Sequence, residues 1–115
     1  MSAPAYFPDV GDIVWTDFDP TLGREQAGRR PALVVSAAAF AQNTGLVIVC
    51  PITGKLHNFP TSVLLPERCA IKGEILLSNI RSIDMRARVV RFSGARVDQE
   101  TARQVRESLD ALIAI

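Results

Sequence analysis

Residues that staple or metallate small domains are scarce here: the 115-residue chain has two cysteines, one histidine and no C-x-x-C or Cys/His spacing. That scarcity excludes a disulfide framework and a zinc cage as sources of stability. Cys50 lies inside the apolar run LVIVCPI, where a small buried hydrophobe is expected, and Cys69 lies in the polar stretch PERCAIKG. A reducing compartment, the cytoplasm, is the expectation. No uninterrupted apolar stretch approaches bilayer-spanning length, and MSAPAYFPDVGD lacks the basic start and apolar run of a secretory leader. Bulk charge is also missing, at a formal net of +1. Its distribution is uneven, because residues 81–96, RSIDMRARVVRFSGAR, hold five arginines and one aspartate, or +4, which leaves −3 elsewhere. A local basic strip of this kind attracts polyanions even where overall charge does not.

What is present suits one compact domain, residues 1–115, at 48% hydrophobic content. GDIVWTDF (11–18), PALVVSA (31–37), GLVIVCPIT (45–53), TSVLLP (61–66), GEILLSNI (73–80) and MRARVVRFSG (85–94) read as strands separated by turn residues. No connection is long enough for a parallel crossover helix. The pattern predicts a mainly β, α+β fold, an antiparallel sheet curled into a small barrel. After Asp98 as N-cap, Ala102, Val105, Leu109, Leu112 and Ile113 recur at helical spacing, so a C-terminal amphipathic helix is expected on the sheet. SAAAFAQN (36–43) offers one or two further helical turns.

The first two strands are joined by DPTLGREQAGRRP (19–31), whose connecting residues 19–30 make a loop near the upper limit of ordinary length. Gly23 and Gly28 have phosphate-loop spacing, but Arg29 and Arg30 stand where Lys and Ser/Thr are required, and Pro31 opens a strand where a helix is needed. Solvated filler is one reading of such a loop; catalysis is the other. Metal-free RNA cleavage must remove a 2′-hydroxyl proton, stabilise a phosphorane and protonate the leaving 5′-oxygen. Glu25 suits the base and Arg30 the electrostatic clamp, since a guanidinium binds phosphoryl oxygens bidentately and gives up its proton poorly. Thr53, ending the third strand, offers either a hydroxyl hydrogen bond to the same oxygens or only a turn residue before Gly54.

PDVGDIVWTDFDPTLGREQAGRRPALVVS (8–36) resembles the opening of the MazF/PemK toxins, with the G-D-x-[VI]-W-x-D-x-x-P strand and the G-x-E-Q-x-G-x-R-P loop. VCPIT and RSIDMRAR are similar to later elements of that family, and the likeness runs from about Pro8 to Leu112. The resemblance implies a homodimeric SH3-like barrel that cleaves single-stranded mRNA at short motifs without a metal or other cofactor. The products would be a 2′,3′-cyclic phosphate and a 5′-hydroxyl, and a MazE-like antitoxin would restrain the enzyme. It assigns catalysis to Arg30, Thr53 and Glu25. Gln26, Arg29, Lys55, Asn79 and Arg86 are expected to bind the substrate, Lys55 and Arg86 through its backbone phosphates. Ser78-Asn79 stands where many members have Asp-Gln, and Leu76 replaces the catalytic arginine of the PemK/Kid branch, so the MazF-like arrangement is expected.

Other residues have competing uses. His57 is the obvious acid or base by its near-neutral pKa, or a solvated loop residue. Arg86 and Arg88, two apart on the expected strand, would form a phosphate track or a protected sheet edge. Phe18 and Trp15 could stack on bases, although Trp15 alternates with Ile13 and is expected in the core. A silent RNA-binding barrel and a gyrase inhibitor of the CcdB type are the alternatives to a nuclease. The latter carries its activity on a C-terminal helix with a final tryptophan, whereas this chain has Ile115.

Overall fold

The computed structural model describes residues 5–18, 29–56 and 58–114. Seven strands appear in chain order: β1 (Asp12–Thr16), β2 (Arg30–Val34), β3 (Leu46–Thr53), β4 (Ser62–Leu64), β5 (Glu74–Leu76), β6 (Arg81–Asp84) and β7 (Val90–Arg96). Helix α1 (Ala38–Thr44) bridges β2 and β3, a 3₁₀ turn (Leu77–Asn79) follows β5, and α2 (Gln99–Leu112) closes the chain. Every pairing is antiparallel, in the order β4-β5-β3-β2-β1-β7, with β6 also paired to β3. Strand β3 has β2 on one edge. Its other edge is shared by β6, opposite residues 46–49, and β5, opposite residues 52–53. Among the described residues the sheet is not closed, so the expected barrel is an open, barrel-like sheet with β4 and β7 at its edges.

Both faces of this sheet are buried, which is why its strands read as near-continuous apolar runs. On one face Ile13, Leu33, Cys50, Ile52, Val63, Ile75 and Leu77 pack beneath Val105 of α2. The alternate residues Val14, Ala32, Val34, Val47 and Val49 pack on the other face with Ala41 of α1, Phe18 and Ile83. Cys50 is fully buried, and desolvation pushes its thiol up to about 12. At the base of β1, Asp12 accepts hydrogen bonds from the Tyr6 hydroxyl (2.7 Å) and from Arg96 of β7. Trp15 is a correction: it shares the Ile13 face but is only half-buried, because the residues beside it are Pro31 and Arg91 at the margin of the packed region. Phe18, by contrast, is core.

The expected strand over 85–94 is also corrected. Residues 85–88 form a turn between β6 and β7, because Asp84 accepts from the N–H groups of Ala87 and Arg88 through its carbonyl, each at 3.1 Å, and from Arg86 N–H through its carboxylate at 2.9 Å. Arg86 and Arg88 therefore do not lie side by side on a strand. Arg86 folds back into a two-pronged pair with Asp84, at 3.0 and 3.1 Å. Arg88 reaches the other way and donates to the carbonyls of Asp17 and Phe18, 2.7 Å each. Its guanidinium thus ties the turn to the far end of β1.

Helix α2 starts as expected. The Asp98 side chain accepts from Thr101 N–H at 2.8 Å and also pairs with Arg68. Thr101 and Val105 are buried, while Leu112 and Ile113 in the last turn are exposed, so the apolar stripe outruns the sheet beneath it.

Two outcomes follow from these contacts. Hydrogen bonding to Thr101, then Arg68, lowers the Asp98 pKa from 3.8 to about 2. A depressed carboxylate stabilises the fold above its unfolded pKa, and that stabilisation disappears as pH falls from about 4 to about 2. Thermal midpoints should therefore drop across that window in the wild type, and by less in Asp98→Asn. Arg88→Ala should destabilise the protein by about 1–3 kcal/mol in a denaturant titration, because two carbonyls lose a charged donor. An unchanged midpoint would show that the contact contributes nothing.

Candidate active site

Antiparallel pairing brings the end of β1, the start of β2 and the end of β3 to one side of the sheet. Arg30 pairs with Thr16 across β1 and β2. The pairing of β2 with β3 runs from Ala32–Pro51 to Val34–Val49, so Arg30 at the start of β2 and Thr53 at the end of β3 lie just beyond its last pair, at the same end of the sheet. By strand alternation Arg30 is on the face of Ala32 and Val34, and Thr53 on that of Val49. Arg30 is exposed and Thr53 half-buried.

The Thr53 hydroxyl oxygen accepts from Lys55 N–H at 3.2 Å. A hydroxyl that accepts through a lone pair still has its proton to donate, so the Thr53 hydroxyl can give one further hydrogen bond. Arg29, next to Arg30, and Lys55, two residues after Thr53, are exposed and add positive charge. Asn79 and Ser78 are exposed in the 3₁₀ turn, at the place where the outer edge of β3 changes partner from β6 to β5. That change occurs around Cys50 and Pro51, roughly 7–10 Å along the strand from Thr53 at about 3.3 Å per residue. Glu25, Gln26 and His57 lie outside the described residues.

Arg81 was visible in sequence only as one charge of the basic strip. It opens β6 opposite Val49, on the same face as Arg30 and Thr53, with its guanidinium carbon 5.5 Å from the centre of the Phe18 ring. A cation over a ring face is held without being neutralised. Arg81 therefore keeps its charge toward solvent. Arg86 does not, because Asp84 neutralises it, and the hydrogen bond from Arg86 in turn holds the Asp84 carboxyl below its ordinary range. Arg88 belongs to the scaffold: its contacts at Asp17 and Phe18 hold the strand just ahead of residues 19–28. No spacing rule would have revealed the roles of Arg81 and Arg88, since each depends on a partner about 60 to 70 residues away. Among the described residues, no three His, Cys, Asp or Glu side chains gather as a metal site.

Residues 9–113 match the family described as PemK-like, MazF-like toxin of type II toxin-antitoxin system. The chain is 38% identical over 110 residues to the endoribonuclease toxin MazF of Escherichia coli K12, covering 94% of this chain and 96% of that protein. It is 30% identical over 113 residues to the endoribonuclease EndoA of Bacillus subtilis, covering 91% and 93%. The crystal structure of MazF (Form-I) from Deinococcus radiodurans superposes with a TM-score of 0.84 at 39% identity, over 96% of this chain and all of that one. A MazE-MazF structure from the same organism gives 0.83 at 35% identity, over 96% and 99%. With its open antiparallel sheet, its capped C-terminal helix and these matches over nearly its whole length, this chain belongs to the PemK/MazF family of type II toxins.

Proposed function

We propose that this toxin is a metal-independent endoribonuclease that cuts single-stranded mRNA at the Arg30–Thr53 pair. The observation that supports the reading is an exposed guanidinium at the start of β2 and a hydroxyl at the end of β3, on paired strands at the same end of the sheet. Glu25 takes the proton of the 2′-hydroxyl, whose oxygen attacks the adjacent phosphorus. Negative charge grows on the phosphoryl oxygens, and Arg30 meets it with paired N–H donors while Thr53 adds a neutral one. The P–O5′ bond then breaks and the 5′-oxygen takes up a proton, leaving a 2′,3′-cyclic phosphate and a 5′-hydroxyl. Arg29, Lys55, Gln26, Asn79 and Arg86 bind flanking nucleotides, Arg86 only by exchanging Asp84 for phosphate.

The whole chain acts as one toxin domain and a homodimer in the cytoplasm. Exposed Leu112 and Ile113 on α2 support self-association, and two free cysteines suit a reducing compartment. The MazE-MazF assemblies of similar proteins support a MazE-like antitoxin as partner. Its acidic and apolar segment competes with RNA for the same cations.

Arg30→Ala should lower cleavage of a long RNA at least about a hundredfold with an unshifted melting curve, because the exposed guanidinium meets charge that develops in the transition state and carries little of the fold's stability. Cleavage should persist in EDTA. A variant that cuts at the wild-type rate removes Arg30 from the chemistry, and chelator inhibition reversed by Mg²⁺ removes the metal-free mechanism. Mapping the new 5′ ends gives the cleavage motif; RNA that is bound but left intact would mean a silent RNA-binding barrel.

A further inference from the structure

Glu74 is the acidic residue buried at this end of the sheet, at 2% exposure. It opens β5, where the register sets it opposite Thr53 on one side and Leu64 on the other. Thr53 and Glu74 therefore share a face. The connection between β3 and β4 folds over the carboxylate: Asn58 N–H donates to Glu74 Oε2 at 2.9 Å. Asn58 holds a left-handed backbone, φ 53°, which a non-glycine residue adopts where local contacts enforce it. The same connection contains Lys55, whose N–H is bound to the Thr53 hydroxyl. Gly73 presses on the Thr53 backbone so closely that a Cβ there would lie 2.4 Å from the Thr53 carbonyl oxygen.

We propose that Glu74 is a positioning residue for RNA cleavage, fastening the β3–β4 connection through Asn58 so that the Thr53 hydroxyl is oriented toward the scissile phosphate. The inference rests on the endoribonuclease reading above. Buried beneath the connection, Glu74 does not touch substrate and acts through Thr53. Without its acceptor, the Asn58 amide is released, Lys55 N–H leaves the Thr53 oxygen, and the hydroxyl swings freely. Misplacement of about 1 Å is enough to slow a reaction many-fold.

The test compares wild type, Glu74→Gln, Glu74→Leu, Thr53→Ala and the Glu74→Leu/Thr53→Ala double variant. Each is measured for kcat and KM on one RNA oligonucleotide and for hydrogen exchange at the Asn58 amide. Glu74→Leu should release that amide and lower kcat about tenfold or more, and Glu74→Gln, which keeps a side-chain carbonyl, should stay within about threefold of wild type. In the Thr53→Ala background, adding Glu74→Leu should lower kcat by less than about twofold, since residues acting through one group are not additive. Losses that multiply, an unchanged kcat in Glu74→Leu, or an Asn58 amide that stays protected each overturn the role. If Glu74→Leu does not fold, a Glu74→Gln variant with a protected amide but a tenfold lower kcat overturns it as well. Wild-type protein that leaves RNA intact defeats the endoribonuclease reading itself, while exchange at Asn58 still reports on the tether separately.

Discussion

Strand β3 is the member on which the other elements depend, because it is held on one edge by β2 and on the other by β5 and β6 in turn. Its alternate side chains feed both apolar layers: Cys50 and Ile52 on one side, Val47 and Val49 on the other. A slip of one residue against any neighbour would turn both sets over at once, so burial on two faces specifies register far more firmly than burial on one. That same register sets Thr53 opposite Glu74 and brings Arg30 of β2 to the same end of the sheet. The geometry of the site is thus a by-product of apolar packing several residues away, and the rigid sheet locates groups that would be poorly aimed from a loop alone.

The basic strip shows how much of a sequence's charge can be absorbed by architecture. Of its five arginines, Arg86 faces Asp84, Arg88 serves two carbonyls, Arg96 serves Asp12, and Arg81 lies over Phe18. Only part of the +4 counted along residues 81–96 is therefore on offer to a polyanion. Arginine suits these tasks because its planar fork satisfies two acceptors at once and stacks on rings without losing its charge.

Most strands and the final helix were legible because each is marked by an apolar run or a periodic pattern, whereas β6, lying between two expected strands, was not read. DIVWT, LVIVCPIT and the Val105–Leu109 stripe say what they are, and Asp98 announces the helix start. The misreading over 85–94 has an identifiable cause. MRARVVRF alternates like a strand, but the aspartate just before it captures three N–H groups and bends the chain. Trp15 was misjudged because alternation gives the face and not the extent of cover, and its neighbours on that face are Pro31 and Arg91. At the site, Arg30 and Thr53 were nameable from the loop's composition and the family resemblance. That both fall at one end of the sheet was not, since it arises from pairing between strands far apart in sequence. Glu74 gave no signal, because a carboxylate after a glycine at a strand's start is usually solvated, and its burial comes from a connection folding back over it.

The fully buried Cys50 gives the molecule a particular chemical temperament. Electrophiles and peroxides react with thiolates, and this sulfur is kept protonated far above physiological pH and shut away from reagents by the strands around it. Oxidative stress would therefore leave this sulfur untouched while the chain remains folded, and its alkylation would mark the molecules whose central strand has come apart.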